Sequence, residues 1–225
     1  MIKTVFVDID NTILDFNKCA LQSMTEALNT VGLQYKDGLF DIFKLINDRL
    51  WLDIEKGIID INYLMLHRWN MIFEKAGIAF DGVRFEGLFR NGLRESHEEV
   101  DGAGELLKYL SGKYTVCAAS NGPYEQQVKR LTDAGFDGYI DHMFISGEIG
   151  YKKPNPNFFE VCFDRLGNAL PRESMMIGDS LTADIGGAGN YGMKTCWFDH
   201  GKTGDLMGVS PNYSVENLLD IKKFL

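Results

Sequence analysis

Short apolar runs that alternate with helix-like stretches predict an α/β fold. The run Thr4-Val5-Phe6-Val7 is rich in β-branched residues and stops at Asp8, which is typical of a buried strand. Comparable runs cover residues 114–119, 143–145, 175–177 and 194–198, and helical patterns cover residues 123–134, 156–167 and 181–190. Strands that alternate with helices indicate a Rossmann-like, doubly wound parallel sheet with helices on both faces.

Residues 16–98 follow a different pattern. Ile42, Leu45, Ile46 and Leu50 repeat at helical spacing. Glycines stand where helices are expected to end, at Gly32, Gly38, Gly57, Gly77 and Gly82. We therefore predict an all-helical domain over residues 16–98, inserted after the first strand like a lid over the sheet edge. The α/β core then comprises residues 1–15 and 99–225.

Polar residues follow three of the predicted strands. The first strand ends at Asp8-Ile9-Asp10-Asn11-Thr12, the second at Ser120-Asn121-Gly122 and the third at Gly178-Asp179, with Asp184 one helical turn further on. Because ligands bind beyond the carboxyl ends of parallel strands, we expect these residues to converge. Carboxylates gathered at one edge need a compensating cation, and hard oxygen ligands suit Mg²⁺.

Each of these segments also has a purely structural interpretation. Asp10 and Asn11 could cap the next element, Ser120 could begin a helix, and Lys152-Lys153-Pro154 could be a solvated loop. Four such segments in one order, mostly at strand ends, favour a functional site instead. A hydroxyl, backbone N–H groups and a lysine are the groups that hold phosphate oxygens.

The ordered set of motifs resembles the haloacid dehalogenase superfamily. Asp8 and Asp10 match its first motif, Ser120 its second, Lys153 its third, and Asp179 and Asp184 its fourth. The helical insertion is similar to the cap domain of that superfamily. The resemblance implies that Asp8 attacks phosphorus and forms an aspartyl-phosphate, while Asp10 transfers protons.

The resemblance also implies a ligand set. Mg²⁺ would be held by Asp8, by the Asp10 backbone carbonyl and by Asp179, with Asp184 supporting the ligand or Lys153. The phosphate-binding residues would be Thr12, Ser120, Asn121 and Lys153. The expected enzyme is a Mg²⁺-dependent phosphatase of a small phosphorylated metabolite.

Further residues bear on the substrate. Asp10 disfavours dehalogenation, because a halide leaves without a proton. The segment Leu50-Trp51-Leu52-Asp53-Ile54-Glu55-Lys56-Gly57 is similar to one in the pyrimidine 5′-nucleotidase branch, which implies a nucleoside monophosphate substrate. Trp51, Tyr63, Trp69 or Phe73 could stack on a base or could form the core of the helical domain. A sugar-phosphate phosphatase or phosphomutase remains an alternative.

Two readings from other classes are also open. A receiver-like phosphorylation switch combines the same groups, but it needs neither a large helical domain nor Asp10. The run Gly187-Ala188-Gly189-Asn190-Tyr191-Gly192 matches a dinucleotide-binding pattern, with Asp205 beyond it. That pattern should open a helix directly after a strand, whereas here it comes late in a predicted helix, which disfavours nicotinamide binding.

The net charge and the cysteine pattern limit the classes of binding partner and the cellular compartment that we expect. The chain of 225 residues has a formal net charge of −9, which disfavours nucleic acid polymers and anionic membranes. The four cysteines include no C-x-x-C pair, so we expect buried thiols in a reducing compartment. No apolar stretch approaches the roughly 20 residues of a spanning helix, and we expect a cytoplasmic protein. The oligomeric state stays open.

Overall fold

The computed structural model describes residues 1–200, 206 and 208–225. Asp205 lies outside the described residues. The chain divides into two compact units, one of Met1–Phe16 with His97–Leu225 and the other of Asn17–Ser96. No helix in the described part of the chain is both long and apolar enough to cross a membrane.

The first unit contains a six-stranded sheet in which every paired strand is parallel. The strands are β1 (Thr4–Val7), β2 (Thr115–Ser120), β3 (His142–Ile145), β4 (Ser174–Gly178), β5 (Lys194–Phe198) and β6 (Tyr213–Val215). Their spatial order is β3-β2-β1-β4-β5-β6. The predicted α/β fold is confirmed. Sequence patterning missed β6, which has only three residues and is half exposed.

The strand order places the ends of β2 and β4 on either side of β1. Val7 is in register with Ala118 of β2 and with Ile177 of β4, so the residues that follow these three positions emerge together. The strand order reverses at β1, because β2 and β3 lie on one side of it and β4, β5 and β6 lie on the other. Such a switch point leaves a crevice beyond the carboxyl ends of the strands. Helical layers bury both faces of the sheet, with Val5 and Val7 in one apolar cluster and Phe6 in the other.

The second unit is formed by helices alone, α1 (Phe16–Thr30, which begins in the first unit), α2 (Leu39–Glu55), α3 (Ile61–Ala76) and α4 (Gly82–Glu95). Trp69 lies at its centre, with its ring centroid 5.5 Å from that of Phe43 and 4.4 Å from that of Phe85. Trp69 and Phe73 are buried and therefore belong to the core of this unit, whereas Tyr63 is exposed.

The helical unit also contains a buried ion pair. Arg68 donates to both carboxylate oxygens of Glu86, at 3.1 and 2.6 Å, and to Oδ1 of Asn47 at 2.9 Å. Burial raises the pKa of Glu86, and Arg68 opposes that rise. Separating the pair would leave two buried charges without a partner, which is costly. The pair therefore constrains how α3 and α4 pack.

The remaining helices surround the sheet. They are α5 (Ala103–Ser111), α6 (Tyr124–Asp133), α7 (Ser146–Ile149), α8 (Pro156–Leu166) and α9 (Gly187–Asn190), with a π-helical segment over Leu181–Gly186 and 3₁₀ turns over Asp137–Tyr139, Pro171–Glu173 and Leu218–Lys223. A Cβ at Gly187 would lie 2.9 Å from Cα of Pro154. Gly187 in the glycine-rich run therefore permits close packing against the loop that contains Pro154. The run begins well after β4 ends, which is not where a dinucleotide-binding motif lies. The four cysteines are buried and form no disulfide.

Candidate active site

A tight backbone turn after β1 fixes the first motif. The backbone N–H of Asp8 donates to Ile177 at 2.9 Å, which continues the ladder to β4. Asn11 then adopts a left-handed φ of 56°, and its N–H donates to the carbonyl of Leu14 at 2.7 Å. His200 Nε2 lies 2.5 Å from the Asn11 carbonyl oxygen. The Asp8 carboxylate is thereby held at the sheet edge, where 8% of the residue is exposed.

Lys153 lies at the centre of the polar residues that follow β1, β2 and β4. Its Nζ donates to Oδ1 of Asp8 at 2.7 Å, to Oδ1 of Asp184 at 2.6 Å and to the carbonyl of Ala119 at 2.6 Å. Lys153 is only 1% exposed, so all three of its ammonium protons are used inside the protein. The lysine predicted from the third motif is thus in contact with the first and fourth motifs.

The fourth motif supplies two further carboxylates. Asp8, Asp179 and Asp184 each offer an oxygen within 4.8 Å of the others. The indole N–H of Trp197 donates to the Asp179 carbonyl at 3.0 Å, and the Ser180 N–H donates to Oδ2 of Asp184 at 3.0 Å. Three carboxylates and one ammonium leave a local charge of −2 when all are ionised. Hard oxygen donors with that excess charge fit a divalent cation such as Mg²⁺.

The pKa values reflect this crowding. Burial raises the pKa of Asp8 well above its ordinary range; Lys153 lowers it, while Asp184 and Asp179 raise it further. Burial by itself would lower the pKa of Lys153, but Asp184 and Asp8 outweigh that effect and raise it. The lysine therefore stays charged, and a bound cation would favour the carboxylate form of Asp8 against the effect of burial.

The predicted phosphate-binding residues lie in the same region with different partners. Thr12 is buried, and its hydroxyl donates to Oδ2 of Asp8 at 3.4 Å. Ser120 is also buried and accepts from the Gly122 N–H at 3.1 Å. The Asn121 amide is paired in both directions with the Lys153 backbone, at 2.8 Å each way. The Asn121 side chain therefore holds the backbone of Lys153 in place.

Sequence reasoning missed the partners of Asp10. Gln127 Nε2 donates to Oδ2 of Asp10 at 2.7 Å, and Arg130 donates to Oδ1 at 2.5 Å. Both partners come from α6. The three carboxylates that could share a metal ion are those of Asp8, Asp179 and Asp184. The Asp10 side chain contacts α6 instead, and the metal contact predicted for Asp10 concerns its backbone carbonyl. A Gln and an Arg three positions apart are a signal too common to have indicated a site.

Comparison with known proteins identifies the family. The model of the haloacid dehalogenase-like hydrolase family matches residues 2–192. The chain belongs to this family. It is therefore a hydrolase, as the motif resemblance predicted.

Several relatives match along nearly the whole chain. HAD-hydrolase YfnB of Bacillus subtilis is 28% identical, with 99% of this chain and 95% of the relative covered. Pyrimidine 5′-nucleotidase PynA of Streptococcus pneumoniae is 30% identical, with 97% and 93% covered. Glyceraldehyde 3-phosphate phosphatase of Pyrococcus furiosus is 30% identical, with 91% and 84% covered.

A solved structure agrees with the fold. The magnesium-bound crystal structure of YfnB from Bacillus subtilis superposes with a TM-score of 0.94 at 28% identity. The superposition covers 100% of this chain and 98% of that one. The same fold therefore occurs in a relative that binds magnesium.

Proposed function

We propose that the protein is a Mg²⁺-dependent phosphatase that hydrolyses small phosphate monoesters through Asp8. The observation that carries this proposal is the position of the Lys153 ammonium, which contacts both Asp8 and Asp184 in a buried site. Phosphoryl transfer depends mainly on positioning and charge neutralisation. A fixed ammonium beside a buried carboxylate provides both.

The reaction proceeds in two displacements. A carboxylate oxygen of Asp8 bonds to phosphorus as the bond to the leaving oxygen breaks, and Asp10 gives that oxygen a proton. Asp10 then takes a proton from water, whose oxygen attacks phosphorus and releases Asp8. The Ser120 hydroxyl binds a phosphate oxygen, the Lys153 ammonium neutralises charge beside Asp8, and Thr12 supports the Asp8 carboxylate.

The residues that would hold Mg²⁺ are Asp8, Asp179 and the backbone carbonyl of Asp10, with Asp184 held to Lys153 beside them. When bound, the cation neutralises charge on the phosphoryl group and on Asp8. The grouping of carboxylate oxygens and the magnesium-bound relative support this assignment.

We further propose nucleoside 5′-monophosphates as the substrate class. The support is the name of PynA, a pyrimidine 5′-nucleotidase, together with that of YjjG from Escherichia coli, which has the same activity in its name and is 26% identical. A second candidate is a triose or other sugar phosphate, because two glyceraldehyde 3-phosphate phosphatases are 30% identical to this chain.

The test has two parts. First, p-nitrophenyl phosphate is assayed with Mg²⁺ against wild type, Asp8→Asn and the matched control Asp164→Asn, whose carboxylate is exposed on α8. We expect sustained turnover in wild type and control and none in Asp8→Asn. A single phosphorylation per molecule would instead indicate a receiver-like switch, and full activity of Asp8→Asn would refute the proposal.

The second part compares kcat/KM for nucleoside 5′-monophosphates with that for triose and hexose phosphates. A clear preference for nucleotides supports the nucleotidase assignment. A clear preference for sugar phosphates would overturn that assignment and leave the phosphatase proposal intact.

A further inference from the structure

Two buried residues of α6 reach the Asp10 carboxylate from one side. Gln127 and Arg130 lie three positions apart and so share a helix face, and both are 0% exposed. Each contacts one oxygen of Asp10. Because both carboxylate oxygens are held, rotation of the Asp10 side chain would break two hydrogen bonds at once.

The amide of Gln127 has one consistent orientation. Its Oε1 accepts from Arg130 at 3.0 Å, and an arginine can only donate. Its Nε2 must then face the acceptors, and it donates to Oδ2 of Asp10 at 2.7 Å and to Oγ of Ser120 at 2.8 Å. Gln127 therefore connects the proton-transfer carboxylate of the first motif to the hydroxyl of the second.

This connection also sets the direction of the Ser120 hydroxyl. Its oxygen accepts from Gln127 and from the Gly122 N–H. A hydroxyl has two acceptor positions and one proton, so its O–H is left to donate to a phosphate oxygen. A Cβ at Gly122 would lie 2.7 Å from Nε2 of Gln127, so the glycine gives the amide room to reach both partners.

Burying an arginine is costly unless a charged partner compensates it. Arg130 has an exposed fraction of 0% in its side chain, and its ion pair is with Asp10, whose side chain is 30% exposed. The buried guanidinium of Arg130 is thus paired with the carboxylate of Asp10, which remains accessible to a ligand. In the helical unit, by contrast, both members of the Arg68–Glu86 pair are buried.

We propose that Gln127 and Arg130 are positioning residues for proton transfer by Asp10. They hold its carboxylate in one orientation and keep the Ser120 O–H directed at the phosphate. The proposal rests on the proposed function, because it assumes that Asp10 protonates the leaving oxygen and later deprotonates water.

The dependence of rate on the leaving group tests the proposal. We compare wild type, Gln127→Leu, Arg130→Met and the control Lys129→Met on a series of substituted phenyl phosphates, from p-nitrophenyl to unsubstituted phenyl phosphate. Phenolates of low pKa leave without a proton, whereas phenolate itself benefits from one. Well-placed general acids contribute about 100- to 10,000-fold.

We expect kcat/KM of Gln127→Leu to fall at least about tenfold for phenyl phosphate and less than about threefold for p-nitrophenyl phosphate. Slower deprotonation of water should also produce a burst of p-nitrophenolate. Lys129→Met should match wild type. Equal losses for all leaving groups, or no loss, would overturn the proposal.

Circular dichroism and thermal melting establish that each variant is folded. If Arg130→Met fails to fold, Gln127→Leu, which removes no charge, decides the question. Turnover by Asp8→Asn would refute the proposed function itself. An active wild type whose leaving-group dependence is unchanged in Gln127→Leu would refute only the positioning role.

Discussion

A methyl group added at Gly178 should disable the site without touching a reacting group. An alanine Cβ there would lie 2.2 Å from Oδ2 and 2.4 Å from Cγ of Asp184. Contacts under 3.0 Å do not occur for Cβ atoms, so that carboxylate oxygen must move from 2.2 Å to 3.0 Å or beyond, a shift of about 0.8 Å. The φ angle of Gly178 is not left-handed, so the backbone accepts alanine.

That shift acts on Lys153 through a short hydrogen bond. Oδ1 of Asp184 lies 2.6 Å from the lysine Nζ, and Oδ2 accepts from the Ser180 N–H at 3.0 Å. Moving the carboxylate breaks or bends both contacts and displaces the ammonium beside Asp8. A misplacement near 1 Å can cost about 100-fold in rate, which corresponds to about 2.7 kcal/mol in the activation barrier.

The assay is kcat/KM for p-nitrophenyl phosphate, with folding checked by circular dichroism. The control is Gly138→Ala, because a Cβ there meets nothing within 4 Å. We expect a loss of about 100-fold in Gly178→Ala and none in the control. A folded Gly178→Ala that keeps kcat/KM within about threefold of wild type would refute the reasoning. If it fails to fold, Asp184→Asn tests the same contact and should lose at least about tenfold.

Three other predictions follow from the same contacts. Glu86→Gln leaves Arg68 buried without a carboxylate and should lower the free energy of unfolding by about 3–5 kcal/mol, whereas the exposed control Glu74→Gln should not; chemical denaturation measures both. Burial raises the pKa of Cys196 from its ordinary value of 9.0 to about 12, so the stability contributed by its buried thiol is complete at neutral pH and is lost as pH rises from about 9 towards 12. The stability advantage of wild type over Cys196→Ala should therefore shrink by about 1.4 kcal/mol between about pH 8 and about pH 10, and an unchanged difference would contradict the burial argument. Removal of Mg²⁺ with EDTA should abolish turnover, and saturating Mg²⁺ should raise the melting temperature of wild type more than that of Asp179→Asn; equal shifts would exclude Asp179 as a ligand.

The sheet and the convergence of its polar ends could be predicted from sequence for a simple reason. The strands are short apolar runs, and a parallel sheet brings their carboxyl ends to one edge. Asp8, Ser120 and Asp179 each mark such an end. To predict that these residues lie close together, it was enough to assign the strands and to recognise the order of the motifs.

Other features depend on three-dimensional packing that no local pattern encodes. Gln127 stands beside Gln126, and Arg130 beside Lys129, and only the rotation of α6 against the sheet decides which of them reaches Asp10. The position of Asn121 after β2 could be predicted, but the pairing of its side-chain amide with the Lys153 backbone depends on a loop that is distant in sequence. β6 is a strand because its three residues pair with β5, and its own sequence carries no apolar run that indicates this pairing.

The most direct test of the account is to find the covalent intermediate. Enzyme turning over a phosphate monoester is quenched in acid, reduced with borohydride, which converts an aspartyl-phosphate to homoserine, and digested with trypsin. The account predicts homoserine at position 8 in the peptide covering residues 4–18, and none at Asp10 or Asp15. Sustained turnover with unmodified Asp8, or trapping at another residue, would contradict it.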